Sequence, residues 1–222
     1  MTATLYGANV SPFVRKVRTY LAEKGLAYTL DPVNPFAAPP DYRSISPLGK
    51  IPAWRDDDVT LADSSVICLY LERMHPQPAL YPADPQAWAR ALWLEEYIDS
   101  GFVPKAGPGV FFPLVLAPMM QDQPVTAEVR ARVETCIADE LSPMWRYLEG
   151  ELGDAEFFVG GALSIADLAV ASIHVNLWHA GVDLDATQFP RLAAFLAREF
   201  ARPSMAALIA EETPTWGRRT SA

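Results

Sequence analysis

Cysteine and histidine are scarce in this sequence, and no apolar run goes unbroken for long. Two cysteines and three histidines stand among 222 residues. Neither their number nor their spacing supports a disulfide framework or a metal cluster, so no metal is expected. Cys68 and Cys136 each fall inside an apolar helical pattern, where a free thiol reads as a core residue. His174 and His179 read in the same way, as core histidines satisfied by partners. The longest apolar stretch, 163–182, is interrupted by Asp167, His174, Asn176 and His179. It therefore predicts a buried helix rather than a membrane span. Positive charge is also in short supply, with 18 Lys and Arg against 27 Asp and Glu and a net charge of -9. Such a chain repels phosphate backbones, which argues against a nucleic-acid partner. Any small anion would need a locally built site. The opening residues Met1-Thr2-Ala3-Thr4-Leu5-Tyr6 have neither a basic start nor an apolar core of signal length. Together these absences predict a cytoplasmic protein with no membrane partner.

Proline, by contrast, is abundant at 20 residues, and it divides the chain into defined elements. Thr4–Gly7 reads as a short strand. A helix follows, with Phe13, Val14, Val17, Tyr20 and Leu21 on one face and Arg15, Lys16, Arg18 and Lys24 on the other. Gly25 is suited to its C-terminus. Further strands are predicted at 27–30, 51–54 and 59–61, with a proline-rich loop over 32–47. Asp63 caps a helix carrying Val66, Ile67, Tyr70, Leu71 and Met74. Residues 76–86 hold enough proline for a stiff extended linker. Beyond it the strand signals stop. Helical patterns follow around Trp88–Ile98, at 129–148 with a bend at Pro143, at 164–180 and at 192–200, and the tail after Thr213 is expected to fray.

Three short stretches carry candidate chemistry. Ser11 precedes Pro12 at a helix start, where serine is a favoured cap and proline a favoured first residue. It reads either as a cap alone or as a hydroxyl that donates to an anion held at the helix N-terminus. Ile51-Pro52 opens a strand and is a candidate cis peptide, with Lys50 before it either solvated or meeting a carboxylate. Asp63-Ser64-Ser65 reads as a capped first turn or as a second anion cradle. An apolar, kinked segment at 105–113 together with Met119 and Met120 reads either as a buried interhelical connection or as an adaptable hydrophobic pocket.

The order Ser11-Pro12-Phe13, Gly49-Lys50-Ile51-Pro52, Asp63-Ser64, Leu80-Tyr81-Pro82 and Ser164-Ile165-Ala166-Asp167 resembles the cytosolic glutathione transferase superfamily over nearly the whole chain. The resemblance implies an α/β thioredoxin-like N-terminal domain at 1–75, a linker at 76–86 and an all-helical C-terminal domain at 87–222. It implies glutathione as co-substrate, a small hydrophobic electrophile as second substrate, and a homodimer. In serine-type members the residue at the Ser11 position donates to the glutathione sulfur. Ile51 would pair with the cysteinyl part across a cis bond to Pro52. Asp63 and Ser64 would hold the γ-glutamyl end, and Lys50 the glycyl carboxylate. Val10, Phe13, Phe111, Phe112 and Met119 are the expected electrophile pocket, and residues 164–167 the family's capping box. Asp63 stands where glutamate is usual, and Ser46 where asparagine often precedes the Pro47 turn. A serine at position 11 predicts weak disulfide exchange, because a hydroxyl cannot attack a disulfide as a thiolate does. A non-catalytic binder, an isomerase and a dehalogenase are the alternative readings.

Overall fold

A computed structural model describes residues 3–122 and 124–219. Strands β1 (Thr4–Tyr6), β2 (Thr29–Asp31), β3 (Ala53–Arg55) and β4 (Thr60–Leu61) form one mixed sheet in the order β2-β1-β3-β4. β1 runs parallel to β2 and antiparallel to β3, with Leu5 opposite both Leu30 and Trp54. Helix α1 (Pro12–Lys24) makes the crossover between the parallel strands, as parallel pairing requires. Helix α2 (Ser64–Met74) follows β4. This is the expected thioredoxin-like arrangement, each strand lying within about two residues of its predicted place.

The remainder is helical. α3 (Pro85–Glu96) runs on through π-helical turns, α4 (Val103–Ala106) and α5 (Ala117–Gln121). This run, Pro85–Gln121, is long and apolar enough by composition to cross a membrane. In this fold its buried residues, among them Ile98, Phe102 and Val110, join the core of the helical bundle. α6 (Ala127–Cys136) and α7 (Ser142–Leu152) are separated by a π-helical stretch at 137–141. The predicted break is there, just ahead of Pro143, rather than at it. α8 (Ile165–His179) is the central post, every residue but Trp178 being buried. The expected capping box starts it: Asp167 accepts from the Ser164 amide and hydroxyl, both at 2.8 Å.

The structure adds one feature and corrects two expectations. The charged side of α1 does not face water: Arg15, Lys16, Arg18 and Lys24 are all buried. α1 lies between the sheet and the helices, so its polar side is an interior seam, and each cation meets an acid. Arg15 pairs with Glu212, Lys16 with Glu95 and Asp99, Arg18 with Glu211, and Lys24 with Glu72. Second, the chain continues in helix past Thr213 instead of fraying there, and residues 220–222 of the expected tail lie outside the described residues. α9 (Pro190–Ala201) is followed by α10 (Pro203–Trp216), and the Arg219 amide then donates to the His179 carbonyl at 2.9 Å. Gly181 permits that close return, since a Cβ there would lie 2.2 Å from the Arg219 oxygen. Third, Cys136 is only partly buried, whereas Cys68 is in the core and burial holds its thiol well above the ordinary value.

Candidate active site

Between the sheet and the helices lies a cavity of about 1420 Å³, larger than the roughly 300–1,000 Å³ of ordinary small-ligand sites. Its floor is the β1–α1 turn. Gly7 ends β1 where a Cβ would come 2.5 Å from Val14 Cγ2, so glycine lets the strand pass under the helix. Ser11 then caps α1, its hydroxyl oxygen accepting from the Val14 amide at a long 3.4 Å. The two readings of Ser11 are therefore compatible, because an oxygen that accepts this bond keeps its proton to donate.

The turn is held from behind. The Val10 carbonyl accepts from Asn176 Nδ2 at 3.0 Å and from Arg15 Nη2 at 3.3 Å. Arg15 also donates to Asn176 Oδ1 at 2.7 Å and to Glu212 Oε1 at 2.8 Å. His179 Nε2 completes the cluster 3.1 Å from Glu212. Burial pushes the Glu212 carboxyl up, but Arg15 and His179 outweigh it and hold the group below its ordinary value. An ion pair this deep is stable only when fully hydrogen-bonded, and here it ties α1, α8 and α10 together.

The second edge of the cavity is the 49–52 segment. The Ile51–Pro52 bond is cis. The Lys50 carbonyl accepts from Ser46 Oγ at 2.8 Å and from the Tyr42 hydroxyl at 2.9 Å. Serine at position 46 thus anchors the loop directly. The Lys50 side chain is exposed at the cavity edge. At the third edge, Asp63 Oδ1 accepts from the amides of Ser65 and Val66, each at 3.0 Å, and Ser64 is buried at the cavity wall.

Of the sequence-predicted residues, Ser11, Lys50, Ile51, Pro52, Asp63, Ser64, Val10, Phe13, Phe111 and Met119 line this one cavity. Phe112 does not. Adjacent residues on a helical run point in different directions, so Phe111 turns inward while Phe112 lines a separate recess beside Cys136. Sequence reasoning missed Asn176, Glu96, Asp99, Glu211 and Trp216, all of which line the cavity. Asn176 was visible as a polar residue within an apolar helix. The others come from parts of the chain whose proximity no local pattern reveals.

His174 and His179 are core groups, as expected. His174 accepts from Trp145 Nε1 at 2.9 Å, its other nitrogen lies 2.7 Å from the Val170 carbonyl, and burial lowers its pKa to about 4. Among the described residues no cluster of acids, histidines and cysteines could hold a metal ion.

The glutathione S-transferase N-terminal domain model matches residues 5–79, and the C-terminal domain model matches 106–203. This chain belongs to the glutathione S-transferase family. A glutathione S-transferase of Triticum aestivum is 31% identical over 211 residues, covering 95% of this chain and 94% of its own. A stringent starvation protein A homolog of Pasteurella multocida is 26% identical over 90% of this chain and 87% of its own. A solved glutathione S-transferase of Methylobacterium radiotolerans, in complex with glutathione sulfonate, is 29% identical with a TM-score of 0.72, over 94% of this chain and 95% of that one. The glutathione S-transferase fold is thus shared with proteins of more than one name.

Proposed function

We propose that this chain is a glutathione transferase in which Ser11 stabilises the glutathione thiolate for attack on a small hydrophobic electrophile. The observation that carries the reading is Ser11 itself, a helix cap on the cavity floor whose hydroxyl proton is left to donate. A free thiol titrates near pKa 8.5, so a shift of about two units requires roughly 2.7 kcal/mol of preference for the thiolate. A helix N-terminus contributes up to about 2 kcal/mol when partly buried. A hydrogen bond to a charged acceptor adds about 1.5–3 kcal/mol. The two suffice without a general base.

In this reading Lys50 meets the glycyl carboxylate, the backbone of Ile51 beside Pro52 pairs with the cysteinyl part, and Asp63 and Ser64 hold the γ-glutamyl end. Val10, Phe13, Phe111 and Met119 contact the electrophile. Glutathione is the co-substrate, no metal takes part, and neither nucleic acid nor membrane is a partner. We assign residues 1–75 to glutathione binding, 76–86 to the linker and 87–222 to the electrophile pocket, in a cytoplasmic homodimer.

The test is a thiolate-absorbance titration of bound glutathione with the parent protein and Ser11→Ala. Thiolate held at neutral pH by the parent and lost in a variant that still binds supports the transferase. Glutathione bound as thiol in both would make Ser11 a cap only and the protein a non-catalytic binder.

A further inference from the structure

The two walls of the cavity differ in charge, which bears on the electrophile; the inference rests on the transferase reading and narrows its substrate. Among the described lining residues the one cation is Lys50, on the loop wall. The helical wall brings three carboxylates, Glu96, Asp99 and Glu211, and no lysine, arginine or histidine. Glu211 is met by Arg18 at 2.7 Å. Asp99 shares Lys16 with a second carboxylate, Glu95. Glu96 is exposed and has no ion-pair partner among the described residues.

The rest of this wall and the rim are largely apolar, Ser100 and Asn176 being the polar exceptions on the helical wall. Phe36, Met119 and Met120 are 62%, 43% and 52% exposed, and Trp216 lines the same space. An aromatic face such as that of Trp216 attracts a cationic group, and so do Glu96 and the Asp99–Glu95 pair, whose two charges Lys16 only half offsets. The same surroundings, partly screened from water, repel a carboxylate. Lys50 does not offset this once a glycyl carboxylate rests against it, and the thiolate adds one more negative charge.

We propose that the helical wall selects an apolar electrophile whose distal group is cationic or neutral and discriminates against one that bears a carboxylate. In the step itself the thiolate sulfur forms a bond to the electrophilic carbon as the bond to the leaving group breaks. The leaving group departs with the bonding electron pair, and no oxidant or reductant is needed.

Three 4-chloro-3-nitrobenzamides with the same reacting ring test this, their N-ethyl arms ending in carboxylate, methyl ester or trimethylammonium. Each kcat/KM with glutathione is divided by the uncatalysed rate constant. We expect the carboxylate probe to be about tenfold or more poorer than the ester, and the ammonium probe to match or exceed the ester. The gap should shrink between about 0.05 and about 0.5 M salt, and Glu96→Lys should narrow or invert it. A carboxylate probe turned over as well as the ester overturns the proposal. If none is turned over although glutathione binds, the transferase reading fails. The three finished S-aryl glutathione conjugates then decide the charge preference by calorimetry: the same order of Kd supports it, and equal Kd or no binding overturns it.

Discussion

Ser11 and His174 show how one side chain's surroundings set its chemistry. Ser11 offers a proton at a helix tip, and its loss should raise the pKa of bound glutathione by about one to two units. At neutral pH, kcat/KM for a reactive aryl halide would fall about tenfold or more, and much of the loss would be recovered at alkaline pH. A pH–rate profile of Ser11→Ala measures both. His174 is different, being buried and neutral. Its pKa is lowered from 6.5 to about 4, so its contribution to stability is complete above pH 6.5 and is lost as pH falls toward 4. Asp167 acts in the opposite sense, since burial raises its pKa to about 6 and it favours the fold on the acid side. The parent protein's own pH dependence therefore mixes the two. Comparison with His174→Gln isolates the histidine: the parent's advantage in urea unfolding should shrink by about 2 kcal/mol between pH 7.5 and pH 5.

At the scale of elements, two helix ends hold the cavity in shape. The Asp167 carboxylate accepts from Phe158 N at 2.9 Å as well as from Ser164, so it fixes both the start of α8 and the loop before it. Asp167→Ala leaves those buried donors unpaired and should cost about 1–3 kcal/mol in denaturant unfolding. α10 is held to α1 by Arg15 and Glu212, both fully buried. Glu212→Ala strands the Arg15 charge, and the expected loss is about 3–5 kcal/mol. A smaller loss on replacing both partners, Arg15→Met with Glu212→Leu, would identify the unpaired charge as the cause. The box was legible because Ser164 and Asp167 are three residues apart and meet within one helical turn. α10 was not, because its sequence 203–216 holds Pro203, Pro214 and a weak apolar pattern. Its place comes from partners about 200 residues away.

Across the whole molecule, the apolar side chains Val66 and Met74 on α2 and Trp88 and Trp93 on α3 remain exposed. The homodimer we propose would cover them, since four large apolar side chains left exposed on two helices suit an association surface. Light scattering of Val66→Glu with Trp93→Glu should give half the parent mass with helical content retained. A parent that is itself monomeric would contradict the homodimer. A net charge of -9 favours dispersal of such an assembly through self-repulsion.

The local pieces follow from the amino-acid sequence alone. Strands, caps, the Ile51-Pro52 turn and the Ser11 helix start are written in neighbours a few residues apart, and short-range sterics and hydrogen bonding decide them. It also carried the division into a strand-and-helix unit and a helical one, because hydrophobic periodicity changes from one to the other. The burial of the charged side of α1 comes from long-range packing. Sequence periodicity reports the polarity of its four cations and not what lies opposite them. Folding sets Glu72, Glu95, Asp99, Glu211 and Glu212 against those cations, and the pairing makes their burial tolerable. The same assembly brought Asn176 to the Val10 carbonyl and turned Phe111, but not Phe112, into the cavity. Those are long-range contacts, and no window of sequence contains both partners.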